Sequence, residues 1–269
     1  MKAWGYGGRE TSGVARVTGS HGGYFHLVCA EKDEGEVVAR TKSSAFRDAP
    51  PPTTGDFVSF KYNPQGESVI TGVLPRFSHL ERVDPSSSGF RTQTLAVNFD
   101  TLFFAMSVAG DASTARLERF LALARSSGCI DRTAVLLTKC DLADDGPEPA
   151  SAFSGYGVPV IGMSSVSGKG LADVAEYVRP RRTVALIGSS GVGKSTLVNV
   201  LAGEEWMATG SIQEWSGRGR HTTTSRELVM LPSGAMILDT PGLREIGIPG
   251  ADGFELKGRT GGTHRYRVR

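Results

Sequence analysis

The segment "GSSGVGKST", residues 188 to 196, constrains the fold of this chain more than any other. It follows the apolar run "TVALIG" and opens "KSTLVNVLAG", so a strand, a glycine-rich loop and a helix stand in succession. That context turns a G-x-x-x-x-G-K-S match into a phosphate-binding loop. Glycines let the backbone wrap an anion with its N–H groups turned inward, and the helix start adds partial positive charge. Gly188, Ser189, Ser190, Gly191, Val192, Gly193, Lys194, Ser195 and Thr196 are therefore nucleotide-binding candidates. Lys194 is expected to reach the β- and γ-phosphates, and the Ser195 hydroxyl to bind Mg²⁺.

Two further motifs follow in the expected order. "AMILDTPG" delivers Asp239 on an apolar strand as a second magnesium element, with the Gly242 N–H available to a γ-phosphate. Between them lies "GRGRHTTTSRE", 217 to 227, where a switch segment belongs; Thr223 is the expected Mg²⁺-capping threonine.

The guanine-reading elements, by contrast, come too early. "TKCD", 138 to 141, precedes the phosphate loop by about 50 residues. Asp141 can accept from both the ring N–H and the exocyclic amine of guanine, a donor pair that adenine lacks. The stem of Lys139 can lie against the base plane. Alone, T-K-x-D reads more readily as a strand ending in a polar turn. However, "GMSSVSGKGL" follows, and Ser164, Ser165 and Val166 match a small-residue loop that closes over guanine through backbone N–H groups. The order predicts a circular permutation, with the guanine half first, "VRPRR" as linker, and the phosphate half second. Strand contacts survive such a cut if the old termini lie close together.

Upstream, "GVARVT", "YFHLVC", "GEVVAR", "DFVSFKY" and "SVITGVL" read as five short strands separated by turn chemistry. Five strands in about 60 residues predict a small OB-fold β-barrel. Tyr24, Phe25, Phe60, Lys61 and Tyr62 could make an aromatic, basic RNA face, or could be core and surface by simple alternation. Residues 1 to 100 carry 11 Lys+Arg against 11 Asp+Glu, so charge does not choose. From about residue 100 the pattern changes. "TLFFAMSV" has the continuous apolar character of a strand buried on both faces. "STARLERFLALARSSG" and "GLADVAEYV" have helical spacing, "RTAVLLT" and "VPVIGMS" are strand-like, and "RELVMLPSGAMILD" reads as a hairpin turning at Ser233 and Gly234. Alternation predicts an α/β unit with a mostly parallel sheet. The three cysteines are odd in number and widely spaced, so neither a disulfide framework nor a zinc site is expected. Apolar runs are strand-length, which predicts a soluble, cytoplasmic chain with no membrane partner.

The order of barrel, T-K-x-D, S-x-x-S-G-x-G, G-x-S-G-V-G-K-S, G-R-H-T-T-T and D-T-P-G resembles that of the bacterial ribosome small-subunit-dependent GTPase A family. This resemblance implies a circularly permuted P-loop GTPase domain (86–248) behind an RNA-binding OB barrel (1–85). It also implies GTP hydrolysis stimulated by the 30S subunit late in its assembly. The implied partners are the 30S subunit and 16S rRNA, the cofactors are Mg²⁺ with GTP and GDP, and a monomer is expected. Lys194 and His221, the histidine of G-R-H-T-T-T, are the catalytic candidates. Three departures stand out. Thr138 replaces an asparagine, and a hydroxyl reproduces only part of an amide's bonding. Leu243 stands where many GTPases place a water-orienting glutamine, as is usual for the family. The family's C-terminal zinc domain requires three cysteines and a histidine, whereas the residues after 248 contain no cysteine. Zinc is therefore not expected in this chain. The basic tail, 249 to 269, is expected to be disordered. Weak 30S binding is expected in consequence. A nucleotide-binding module with little turnover and a non-guanine P-loop ATPase remain as alternatives.

Overall fold

The computed structural model describes residues 1–32, 35–42, 46, 50–83, 92–143, 149–203 and 227–239. Five strands build the first unit: β1 (Val14–His21), β2 (Tyr24–Cys29), β3 (Val37–Thr41), β4 (Phe57–Lys61) and β5 (Ser68–Val73). They run β1-β2-β3-β5-β4, and β4 pairs back onto β1 to close the barrel. Only the β3–β5 pair is parallel. Closure removes the open edges that short strands would otherwise expose. Alternate residues point inward, so Ala15, Val17, Leu27, Val37, Ala39, Val58, Phe60 and Ile70 form one core. This divides the five candidate RNA-face residues. Phe60 is core and Phe25 packs against it, whereas Lys61 and Tyr62 are exposed.

An ion pair between fully buried Asp56 and half-buried Arg76 fixes the barrel's exit. Asp56 accepts from Arg76 Nε and Nη2, both at 2.8 Å, and from the Thr53 N–H at 2.9 Å. The bidentate fork holds the Arg76 guanidinium above its ordinary pKa, because protonation is what the carboxylate rewards. A hairpin then follows, β6 (His79–Val83) with β7 (Thr92–Val97), which the sequence pattern had not signalled. Its Leu80, Leu95 and Ala96 are buried.

The second unit contains β8 (Thr101–Ser107), α1 (Thr114–Ser126), β9 (Thr133–Thr138), β10 (Val160–Gly162), α2 (Leu171–Ala175), β11 (Thr183–Gly188), α3 (Lys194–Ala202), β12 (Glu227–Met230) and β13 (Met236–Asp239). The sheet order is β10-β9-β8-β11-β13-β12, parallel except for β12. β8 is buried along its whole length. Leu102, Phe104 and Met106 face one side, against Leu117, Phe120 and Leu121 of α1; Phe103 and Ala105 face the other, with Leu197 and Val198 of α3. Phe104 and Phe120 stack at 4.0 Å between centroids. α2 is shorter than its apolar spacing predicts, because the chain leaves the helix at Glu176, ahead of the "RP" of the linker.

The chain enters this sheet at β8, runs outward through β9 and β10, then returns to β11 beside β8 and runs outward on the other side. Strand order thus reverses between β8 and β11, and the carboxyl ends of the strands at such a point form a ligand crevice. The permutation is visible here as topology. The phosphate-loop strand is central in space yet follows the three strands on one side of it.

Removing Arg76 would leave Asp56 ionised and buried. Arg76→Ala is expected to cost about 3–5 kcal/mol of stability. Arg76→Lys, which keeps charge but loses the fork, should cost less. Urea midpoints of the three proteins check this ranking.

Candidate nucleotide-binding site

The carboxyl ends of the parallel strands bring the sequence motifs together. β11 ends at Gly188, and a Cβ there would lie 2.7 Å from the Ala105 carbonyl of β8, so only glycine lets these two strands pack. Beyond it the loop turns through Gly191 and Gly193, both with positive φ, into the first turn of α3. Lys194 is 6% exposed. Its Nζ donates to the carbonyls of Gly188, at 2.9 Å, and Ser189, at 2.7 Å, closing the loop on itself. Ser195 and Thr196 follow, half-buried. Asp239 ends β13 in register with Leu186, which places its backbone one strand away from the start of the loop.

β9 delivers the base-reading candidates. The Thr138 hydroxyl donates to the Val192 carbonyl at 2.6 Å, with the Met106 carbonyl at 3.2 Å. A hydroxyl has one proton, so the shorter contact is the main bond. Thr138 therefore makes the tie to the phosphate loop that its side chain type put in question. Lys139 turns the chain with φ 60, unusual for a residue with a Cβ. Cys140 is buried, and its N–H donates to the Met163 carbonyl at 3.1 Å, which fastens this loop to the one after β10. Asp141 is left exposed on the short turn that follows.

The loop after β10 is organised by Ser164. That side chain is fully buried, and its Oγ accepts from the N–H groups of Val166, at 3.2 Å, and Ser167, at 3.1 Å. Two of the loop's N–H groups thus serve the loop itself here. Val166 is 84% exposed, at the tip. Gly170 has no alternative, since a Cβ would fall 2.2 Å from the Gly162 carbonyl.

One pair of residues in the site was not singled out by the motifs. Asp111, in the turn after β8, accepts from the Ser189 hydroxyl and from the Ser107 N–H at 2.6 Å. Arg116 on α1 lies 3.2 Å from the same carboxylate. The only local signal was an acid in "AGDAS", an ordinary turn composition. His221, Thr223 and Gly242 lie outside the described residues. The three cysteines are buried and free.

The Thr138–Val192 bond is a single neutral hydrogen bond, worth about 0.5–1.5 kcal/mol. Thr138→Val keeps the shape and removes the donor. It is expected to weaken guanine-nucleotide affinity by roughly two- to twelve-fold, the same energy expressed as a ratio. Thr138→Asn should bind at least as well as the parent, as titration calorimetry with GDP would show.

Comparison with known proteins agrees with this geometry. Residues 73–249 match the model of the RsgA GTPase family. A protein of Lactiplantibacillus plantarum named small ribosomal subunit biogenesis GTPase RsgA 2 is 37% identical over 238 residues, covering 87% of this chain and 66% of that protein. A small ribosomal subunit biogenesis GTPase RsgA of Methanosarcina acetivorans is 42% identical over 247 residues, covering 90% of this chain and 65% of that protein. The chain thus spans about two thirds of the length of these relatives. Among solved structures, YjeQ from Thermotoga maritima superposes with a TM-score of 0.62 at 24% identity, over 86% of this chain and 74% of that one. YloQ, described as a circularly permuted GTPase, gives 0.59 at 21% identity, over 90% and 75%. The fold is therefore that of the permuted GTPases, and the chain belongs to the RsgA GTPase family.

Proposed function

We propose that this chain hydrolyses GTP and serves as a nucleotide-dependent switch in late assembly of the 30S ribosomal subunit, which stimulates its turnover. One observation carries the reading. The loop bearing Asp141 and the loop bearing Lys194 leave the same end of the sheet with only β8 between their strands, and are joined by the Thr138–Val192 bond. A base and a polyphosphate on one ligand need that spacing. The names of the relatives, small ribosomal subunit biogenesis GTPases, support the biological side. Among the described residues no helix is long and apolar enough to cross a membrane. Contact with 16S rRNA, and action as a monomer, belong to the same proposal.

In this reading Lys194 exchanges two neutral carbonyl acceptors for anionic phosphate oxygens, so each bond joins two opposite charges. The glycine-loop N–H groups and the start of α3 take the remaining phosphate charge. Asp141 selects guanine, with Lys139 along the base plane and the loop Ser164–Val166 closing the far edge. The hydroxyl of Ser195 and the carboxylate of Asp239 are hard oxygen donors that suit Mg²⁺, with Thr223 as the third protein ligand. When bound, that ion neutralises charge on the β- and γ-phosphate oxygens. The Gly242 N–H reports the γ-phosphate. Since Leu243 cannot hydrogen-bond, His221 is assigned the orientation of the attacking water.

Asp141→Asn tests the base assignment. Its affinity should fall for GTP and rise for xanthosine triphosphate, whose 2-carbonyl accepts from the new amide; unchanged GTP affinity would remove Asp141 from the site. His221→Ala tests the catalytic assignment. It should bind GTP normally yet lose the 30S-stimulated component of turnover, measured as phosphate release with and without subunits. Equal stimulation in both proteins would exclude His221, and no stimulation of the parent would defeat the switch itself.

A further inference from the structure

A second cavity lies at the opposite end of the sheet from the phosphate loop. It measures about 620 Å³ and is lined by Arg16, Phe77, Asp100, Arg132, Arg181 and Arg182, among others. That size suits a small organic ligand. Thr183, at the start of β11, also lines it, so it is separated from Gly188 by the length of one strand, roughly 16 Å.

The lining is unbalanced in charge: four guanidinium groups meet one carboxylate. That carboxylate is already engaged. Asp100 accepts from Arg182 Nη1 at 2.6 Å and from the Thr183 N–H at 2.8 Å. Arg16 comes from barrel strand β1 and is 1% exposed. It donates to the carbonyls of Trp4 and Asn98 and to Thr183 Oγ1, but its buried Nε has no partner. Burial outweighs the attraction of Asp100 and Asp56 and pulls its pKa down to about 9. A further negative charge would relieve that. Arg181 adopts φ 67, a conformation natural to glycine, yet the position carries an arginine. It is held there by its N–H on the Gly234 carbonyl at 2.7 Å and its Nε on the Lys2 carbonyl at 3.2 Å. Strain accepted to place a charge points to a use for that charge.

The cavity also offers an aromatic surface. Phe77 is 48% exposed, and the Arg132 guanidinium sits 5.6 Å from its ring centroid. A flat guanidinium beside an exposed ring suits a planar base attached to phosphate better than it suits a bare anion. A cation is disfavoured by the charge.

We propose that this junction cavity is a second anion site that binds a nucleotide unit, its phosphate on Arg132, Arg181 and Arg182 and its base against Phe77. The unit is supplied either as a segment of single-stranded RNA or as a free nucleotide. The site is independent of guanine reading at the phosphate loop.

The test uses the full chain with and without saturating GDP, so that binding at the phosphate loop is separated from binding here. The probes are AMP and a fluorescent ten-residue oligoadenylate, titrated at about 50 mM salt, where phosphate contacts are strong. The parent protein is expected to bind at least one probe equally with and without GDP. Arg132→Glu should weaken that binding by at least tenfold, Arg181→Glu likewise, and Phe77→Ala several-fold. All three should keep the parent's GDP affinity and unfolding midpoint; a variant that loses either is set aside and the other two decide. Binding of the oligomer alone identifies RNA as the source, and binding of AMP identifies free nucleotide. The proposal is overturned if the parent binds neither probe, if GDP abolishes binding, or if the folded variants bind as the parent does.

Discussion

The parallel pairing of β8 with β11 is the constraint on which the second unit depends. Five registered residue pairs, from Val184↔Thr101 to Gly188↔Ala105, align the end of the phosphate-loop strand with its neighbour. The pairing requires a missing side chain at Gly188, because the Ala105 carbonyl occupies the space. Once it forms, both directions of the sheet are set, and the reversal of strand order falls where a ligand crevice is needed. Chain order has no part in this. The sheet is indifferent to whether its backbone was cut before β8 or elsewhere, provided the cut lies away from the carboxyl ends.

Much of this arrangement was legible in the sequence because it rests on local patterns. Strand-length apolar runs gave the barrel strands, β8, β9, β11 and the β12–β13 hairpin to within a few residues. The phosphate loop announced itself through glycines and a lysine at fixed spacing. What escaped detection is long-range and carried by single residues. Arg16 sits in an alternating barrel strand where its side chain looks like a surface arginine, yet it is buried against Asn98 and Thr183 of the second unit. Asp111 is joined to Ser189, 78 residues away, by one bond. The β6–β7 hairpin has short strands with mixed polarity, and its pairing is fixed by burial of Leu80 and Leu95 beneath the sheet rather than by a clear alternation. No window along the chain contains both partners of such contacts.

Polar groups at the site are held mainly by backbone partners. Lys194 is bonded to two carbonyls, Ser164 to two N–H groups, and Thr138 to a carbonyl of the phosphate loop. Backbone partners do not depend on a neighbour's side chain, so the loops keep their shape while exposed residues such as Val166 vary in contact. The same economy explains the tolerance for threonine at residue 138. What the position must supply is one donor toward Val192, and a hydroxyl is sufficient for that.

The barrel and the nucleotide unit share one continuous sheet of eleven strands, but the seam between them is a single registered pair, Gly19 of β1 with Glu227 of β12. Three residues earlier on β1, Arg16 grips the opposite end of the second unit. Two anchors about 10 Å apart on one strand fix β1 against the second unit. The rest of the junction is carried by single polar bonds, among them Asn98 Nδ2 to the Gly55 carbonyl and the Phe77 N–H to Asn98 Oδ1. Glu227 is also the first described residue after 204–226, the stretch of sequence that leads from the phosphate-loop helix to β12. Barrel and nucleotide unit are thus registered on each other by one backbone pair and a few buried polar bonds rather than by a broad strand interface.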